Sequence, residues 1–259
     1  MNIKFLKTSD PNILKFVLSD TYVEFANALR RALISEVPVM SISKVNYLIN
    51  NSAFYNELLA SRLGLIPLKS DVKTYVLPSE CSCKGVGCSK CTVKFTLDVT
   101  GPGVVYARDL KSSDARIVPV YPDMPIIKLF EGQSLKLEAE AVLGTGREHA
   151  RFNACMAVYQ YYPKISVNGC SCRESVETCP KKVYEFKNGK VVVNNGESCD
   201  LCLACVDACR DGKLKVDGLD DKFIFTVESW GQYEPKDLLK IAVKTLQDKV
   251  TEFSEKVLK

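Results

Sequence analysis

The sequence predicts an α+β protein, and three observations carry that expectation. Two segments in the middle alternate apolar and polar residues with the period of half-buried strands. Apolar stripes at helical spacing lie near both ends of the chain. Eleven of the twelve cysteines fall in two bunches, at 81–91 and 170–209. The chain has 259 residues, 46% apolar and 25% charged, ordinary values for a soluble globular protein. Its length fits one elaborate domain or two to three smaller ones. A net charge of +4 permits contact with nucleic acid or an acidic partner but argues for neither.

Each element follows from local pattern. Ile3, Phe5, Ile13, Leu14, Phe16 and Leu18 flank the turn-forming Ser9-Asp10-Pro11-Asn12, which predicts a β-hairpin. Thr21-Tyr-Val-Glu24 has the form of a capping box. After it Phe25, Ala28, Leu29, Ala32 and Leu33 fall on one helical face, until Pro38 ends the helix. Val39 to Ile49 reads as extended, and Ser52 to Leu63 as a second helix stopped by Gly64. Val93, Phe95, Leu97 and Val99 alternate with polar residues, as do Leu135, Leu137, Ala139 and Ala141, so residues 65–165 read as mostly β with Pro- and Gly-punctuated loops. Within the second cysteine bunch, Asn188-Gly189 between apolar runs predicts a type I′ hairpin over 183–193. Residues 222–228 predict a strand. Pro235 opens a final helix in which Leu239, Val243, Leu246, Val250, Phe253 and Val257 form a heptad-like seam. Spacing alone leaves open whether that seam faces a partner or the chain's own core.

No run of about eighteen apolar residues occurs, so no spanning helix is expected. The N-terminal Met1-Asn-Ile-Lys-Phe-Leu-Lys lacks the apolar core of a signal peptide. Twelve cysteines without such a signal point to metal ligation in a reducing cytoplasm rather than to a disulfide framework.

The spacing Cys199-x2-Cys202-x2-Cys205-x3-Cys209 is the run of bacterial-type ferredoxins, in which thiolates hold an iron–sulfur cluster. In the two-cluster members the fourth Cys of each run, followed by Pro, ligates the other cluster. Cys179-Pro180 occupies that place, so Cys179, Cys199, Cys202 and Cys205 are the expected ligands of one cluster. Both [4Fe–4S] and [3Fe–4S] fit the spacing, and zinc on the same ligands is the lesser alternative. Counting back from Cys179 at ferredoxin spacing gives Ser175, Cys172 and Gly169, so a second cluster lacks two of its ligands. Cys209, followed by Arg210, is left over with Cys172 and Cys170. The ferredoxin arrangement would bring Cys172 and Cys209 near one another, either as a disulfide or as free thiols; a local site using Cys209 as fourth ligand is the weaker reading. One cluster with no flavin, nicotinamide or second-centre motif favours a structural role over electron transfer.

The other bunch reads Cys81-x-Cys83-x4-Cys88-x2-Cys91. Gly85 and Gly87 let the backbone fold around four thiolates, which makes a zinc knuckle the leading reading and free or disulfide-linked thiols the alternative. Cys155 stands alone in an apolar context and reads as buried packing. His149 is the single histidine. Gly144-Thr-Gly146 lacks the third glycine of a dinucleotide loop, and no Walker loop, nucleophile elbow or base-stacking aromatic array appears, so no catalytic residue is assigned.

Two motifs carry a resemblance to a known family. Phe25-Ala-Asn-Ala-Leu-Arg-Arg-Ala-Leu-Ile-Ser-Glu-Val-Pro38 and Ala60-Ser-Arg-Leu-Gly-Leu-Ile-Pro-Leu68 closely resemble the assembly subunits of cellular RNA polymerases. That family includes the N-terminal domain of the bacterial alpha subunit and the third-largest subunit of eukaryotic polymerase II. The segment from Asp123 through Glu138-Ala-Glu-Ala-Val-Leu-Gly-Thr-Gly-Arg-Glu-His-Ala-Arg-Phe152 resembles the archaeal and eukaryotic branch, and the cysteine-rich insert resembles that of the D-type assembly subunits of archaeal DNA-directed RNA polymerases. The resemblance implies a discontinuous alpha-subunit-like dimerisation domain of residues 1–42, 153–168 and 212–259. Inserted into it would be a β-rich domain (43–152) carrying the knuckle and a ferredoxin-like iron–sulfur domain (169–211). It further implies a noncatalytic role in transcription: a heterodimer with the small subunit L, joined by subunits N and P, as platform for the large catalytic subunits. Little or no direct nucleic-acid contact and no membrane contact are expected. Phe25, Leu29 and Leu33 on the first helix, with Leu239, Val243, Leu246, Val250 and Phe253 on the last, would form the subunit L interface. The competing reading is a ferredoxin-type electron carrier or oxidoreductase subunit.

Overall fold

The computed structural model describes residues 1–258. The chain opens with strands β1 (Asn2–Leu6) and β2 (Ile13–Ser19), helix α1 (Val23–Ser35), strand β3 (Val39–Asn50) and helix α2 (Asn56–Gly64). Five strands follow: β4 (Thr92–Thr100), β5 (Gly103–Tyr106), β6 (Lys111–Ser112), β7 (Pro125–Leu129) and β8 (Ser134–Gly144). Then come β9 (Cys155–Val167), α3 (Arg173–Glu177), β10 (Tyr184–Lys187), β11 (Lys190–Val193), α4 (Ala204–Asp207), β12 (Leu214–Ser229) and α5 (Pro235–Val257). The fold is thus mixed α and β. Among the described residues no helix is long and apolar enough to cross a membrane.

The chain divides into two compact units, one of residues 1–30 with 158–226, the other of residues 31–157 with those from 227 onward. These bounds differ from the three-part division implied by the family resemblance. Cys170, Val183, Tyr184, Val191, Cys199, Cys205 and Cys209 of the cysteine-rich stretch form one core cluster with Leu214 and Val216 of β12, and Ile165 and Val167 of β9 pack against it.

In the first unit the strands run in the order β1-β2-β12-β9. The β1–β2 hairpin is antiparallel, and its turn is closed by Asp10, whose carboxylate accepts from the Asn12 amide at 2.8 Å. Phe16, Phe223 and Phe225 are wholly buried. The Phe16 and Phe225 rings stack at 4.9 Å, and Tyr159 meets Phe223 edge-on at 5.5 Å. Each buried ring contributes roughly 1.5–3 kcal/mol of apolar transfer. β12 begins at Leu214, well before the predicted start at 222. Leu214 and Val216 anchor its start in the core, while the following residues 217–221 are mostly exposed and polar. The β10–β11 hairpin turns through Asn188 and Gly189 at φ 51° and 74°, as a type I′ turn demands.

In the second unit β3-β8-β4-β6 form one sheet and β5-β7 a second, smaller one. β8 lies between β3 and β4, antiparallel to both, with Leu137 opposite Tyr47 on one side and Leu97 on the other. The alternating residues Val93, Phe95, Leu97, Leu135, Leu137, Ala139 and Ala141 are all buried, and Leu59 and Leu63 of α2 join the same core. α2 starts at Asn56, four residues later than the pattern predicts. Asn50 takes the earlier residues instead: its Oδ1 accepts from the Ser52 hydroxyl at 2.6 Å and the Ser52 amide at 3.2 Å. Such short-range side-chain bonds compete with helix formation. In α5, Pro235, Leu238 and Ala242 are buried. The adjoining Tyr233 hydroxyl donates to the Pro38 carbonyl at 2.7 Å, and Lys249 pairs with Glu36 at 2.6 Å.

Candidate metal centres and exposed helix faces

Cys81, Cys83, Cys88 and Cys91 form a cluster whose sulfurs all lie within 4.8 Å of one another. Individual Sγ···Sγ separations are 3.4 Å (81–83), 3.5 Å (81–88 and 83–91) and 3.8 Å (88–91). A tetrahedral zinc ion about 2.3 Å from each thiolate sets these separations at about 3.8 Å. The loop reaches this geometry because Lys84, Gly85 and Gly87 all adopt left-handed backbone, at φ 55°, 80° and 101°. Backbone and thiol donors make the group electrostatically uneven. The Gly87 amide and then the Cys81 thiol lower Cys83 to about 6. Cys81 is pushed up to about 11: the Cys83 amide favours its thiolate, but the neighbouring thiols and burial together outweigh it. The Cys88 amide also points at Cys91 Sγ, 3.4 Å away. The donor set and spacing fit zinc.

Cys179, Cys199, Cys202 and Cys205 are arranged differently. Cys199 and Cys205 are buried, Cys179 is partly buried and Cys202 is exposed. Burial raises the Cys199 and Cys205 thiols, and the charge of Cys179 adds to both. The four are therefore electrical neighbours, yet they do not converge as a single-ion set. A cube distributes its thiolates over separate irons, so spread rather than convergence is what it requires. Leu201 and Leu203, on either side of Cys202, both hold left-handed backbone at φ 61° and 63°, a strained state for a branched side chain. The Tyr184 hydroxyl lies 3.3 Å from Cys205 Sγ, the Val183 amide donates to Cys179 Sγ at 3.5 Å, and Gln160 holds the Cys199 carbonyl at 2.8 Å.

Cys172 and Cys209 stand close, their sulfurs within 4.8 Å of one another. Cys209 Sγ is 3.4 Å from Cys170 Sγ, and the Asp211 carboxylate joins the three. The acidic residue lies outside any cysteine spacing, so the sequence carried no sign of it. Cys155 is buried, its thiol donating to the Leu33 carbonyl at 3.3 Å, and burial pushes it up to about 12.

The helix faces need one correction. Leu29 and Leu33 are buried within the chain, along with Ala26 and Ala32, so they hold α1 down rather than offer it to a partner. The periodicity marked an apolar face without saying what covers it. Phe25 remains exposed. On α5 the seam is partly covered at Leu239 and Leu246 and open beyond: Val243 is 46% exposed, Val250 68%, Phe253 70% and Val257 63%.

Residues 45–158 match the family model described as the RNA polymerase Rpb3/RpoA insert domain. Over nearly its whole length the chain is similar to proteins named DNA-directed RNA polymerase subunit Rpo3. The Methanosarcina acetivorans protein is 40% identical, covering 97% of this chain and 96% of the relative. That of Archaeoglobus fulgidus is 40% identical over 98% and 96%, and that of Methanothermobacter thermautotrophicus 42% over 96% of each. With identity at this level over a span that takes in both compact units and both cysteine bunches, the chain belongs to the Rpo3 family of DNA-directed RNA polymerase subunits.

Proposed function

We propose that the chain is a noncatalytic assembly subunit of a cytoplasmic RNA polymerase. It heterodimerises with the small subunit L and, with subunits N and P, forms the platform for the large catalytic subunits. The observation that carries this reading is the open half of α5. Val250, Phe253 and Val257 recur at helical spacing, each more than three-fifths exposed, while the same helix is anchored through Leu238 and Ala242. A regular apolar stripe with no cover is the signature of a helix that packs on another chain. Leu239, Val243 and Leu246 of α5, and separately Phe25 of α1, complete the proposed partner-facing residues.

In this reading Cys179, Cys199, Cys202 and Cys205 hold one iron–sulfur cluster, which is structural or regulatory, and Cys81, Cys83, Cys88 and Cys91 hold zinc. The cluster would tie Cys179 to the 199–205 turn beside the buried Val183, Tyr184 and Val191. A ferredoxin-type electron carrier is not favoured, because the relatives that share nearly the whole chain are named as polymerase subunits.

Anaerobic co-expression with the small subunit, followed by iron and sulfide analysis, tests both parts. The parent should elute as a one-to-one complex. Cys202→Ser should lose iron, expose residues 170–210 to protease and weaken the complex. An isolated chain that is stable and refuses the small subunit would refute the assembly reading. A Cys202→Ser chain that loses iron yet assembles and melts unchanged would refute the supporting role of the cluster.

A further inference from the structure

The cysteines that the ferredoxin pattern leaves over have a geometry of their own. Cys170, Cys172, Cys209 and Asp211 each present one ligand atom, and these four atoms lie within 4.8 Å of one another. Cys170 and Cys209 sulfurs are 3.4 Å apart. Asp211 Oδ1 sits 2.6 Å from Cys172 Sγ, 3.1 Å from Cys209 Sγ and 3.7 Å from Cys170 Sγ. Around one tetrahedral zinc ion, with bonds of about 2.3 Å to sulfur and about 2.0 Å to oxygen, the expected separations are about 3.8 Å and about 3.5 Å. We propose that Cys170, Cys172, Cys209 and Asp211 form a mononuclear metal site, and that three thiolates with one carboxylate select zinc.

Several details show that the four groups are held for this arrangement. The second carboxylate oxygen of Asp211 faces the Ser171 amide and hydroxyl, at 3.4 and 3.5 Å, which fixes the acid so that Oδ1 turns to the sulfurs. Gly212 takes left-handed backbone at φ 60°, and its amide donates to the Cys209 carbonyl at 3.2 Å, folding Asp211 back over the cysteine. The two arms, far apart in sequence, are tied by the Asn168 amide donating to the Lys213 carbonyl at 3.1 Å. Cys170 and Cys209 are buried, while Asp211 is exposed and leaves the ion a way in.

Soft thiolates disfavour magnesium and calcium, and convergence on one point leaves no room for a cube. A disulfide would use two of the sulfurs and strand the third beside a carboxylate. On binding, each thiol releases its proton to solvent while the carboxylate binds as it stands. No oxidant takes part. The ion would clamp residues 170–172 to 209–211, replacing the second cluster of the ferredoxin pattern with a single atom.

The test uses the full-length chain purified anaerobically with its iron in place and equilibrated with zinc. Zinc, iron and labile sulfide are measured on the parent, Cys170→Ser and Asp211→Ala, and cysteine alkylation is mapped by mass spectrometry. Cys170→Ser should carry one zinc fewer than the parent, with iron and the protection of Cys81–Cys91 unchanged. Asp211→Ala, a change at an exposed position that leaves every cysteine in place, should release that zinc to a chelator at least tenfold more readily. Zinc content and chelator sensitivity equal to the parent in Asp211→Ala would overturn the proposal. So would a disulfide between any two of the three cysteines, or the loss of iron and sulfide in place of zinc. None of these outcomes depends on whether the chain binds the small subunit.

Discussion

Phe253 offers the sharpest test of the exposed helix. It is 70% exposed in the single chain. A phenylalanine carries about 200 Å² of surface, so covering it would remove about 140 Å² from water, worth about 3.5 kcal/mol at roughly 25 cal/mol per Å². Alanine keeps the Cβ, and ordering the ring on docking offsets part of the gain. Phe253→Ala should therefore weaken the complex with the small subunit by about 2–3 kcal/mol, roughly 30- to 150-fold in Kd. The free chain should melt as before, because most of the side chain lies in water. Leu238→Ala is the converse control: wholly buried on the same helix, it should destabilise the free chain by about 2–4 kcal/mol. Titration calorimetry on the complex, beside thermal melts of the free chains, separates the two effects. A Kd within twofold of the parent for Phe253→Ala, or a drop of several degrees in its own Tm, would refute the reasoning.

Acid should weaken the second unit through Asp114. Its carboxylate is held below the usual range, first by Arg116 and then by the Tyr75 hydroxyl, which donates to it at 2.6 Å. A group depressed in the folded state stabilises fully above its unfolded value of about 4, and that contribution is lost progressively as pH falls from there through its folded value. Asp114→Asn should cost about 1–2 kcal/mol at pH 6, with the gap to the parent narrowing progressively once pH falls below about 4. Trp230, the single tryptophan, reports urea unfolding of this unit, and a gap independent of pH would contradict the assignment. At the knuckle, stripping zinc with a chelator should speed tryptic cleavage after the exposed Lys84 and Lys90 by on the order of tenfold. Added zinc but not magnesium should reverse it, and Cys91→Ser should behave as stripped; equal cleavage with and without zinc would dismiss the site.

What could be read from sequence was whatever depends on local spacing. Leu135, Leu137, Ala139 and Ala141 lie inward because a strand repeats every two residues, and Asn188-Gly189 turns because the two residues tolerate left-handed backbone. The convergence of Cys81, Cys83, Cys88 and Cys91 follows from their spacing and from the backbone freedom of Gly85 and Gly87. Long-range relations were out of reach. Leu29 and Leu33 look identical in pattern to Phe25, yet the fold buries the first two and leaves the third open. Asp211 became visible only once the chain brought it to Cys172. The first half of β12 was hidden for the opposite reason: Lys215-Val-Asp-Gly-Leu-Asp-Asp-Lys222 has the composition of a loop, and only neighbouring strands make it a strand.

The length of α5 left uncovered has a cellular consequence. From Val243 to Val257 the helix runs about 22 Å with its apolar stripe in water. Chaperones and proteases recognise exposed apolar surface of this kind, and they act on whatever fraction of a protein displays it. On the proposed assembly role, a copy made in excess of its partner would display this surface and be open to clearance, whereas a paired copy would conceal it, so that supply of the partner would set how much of this chain survives.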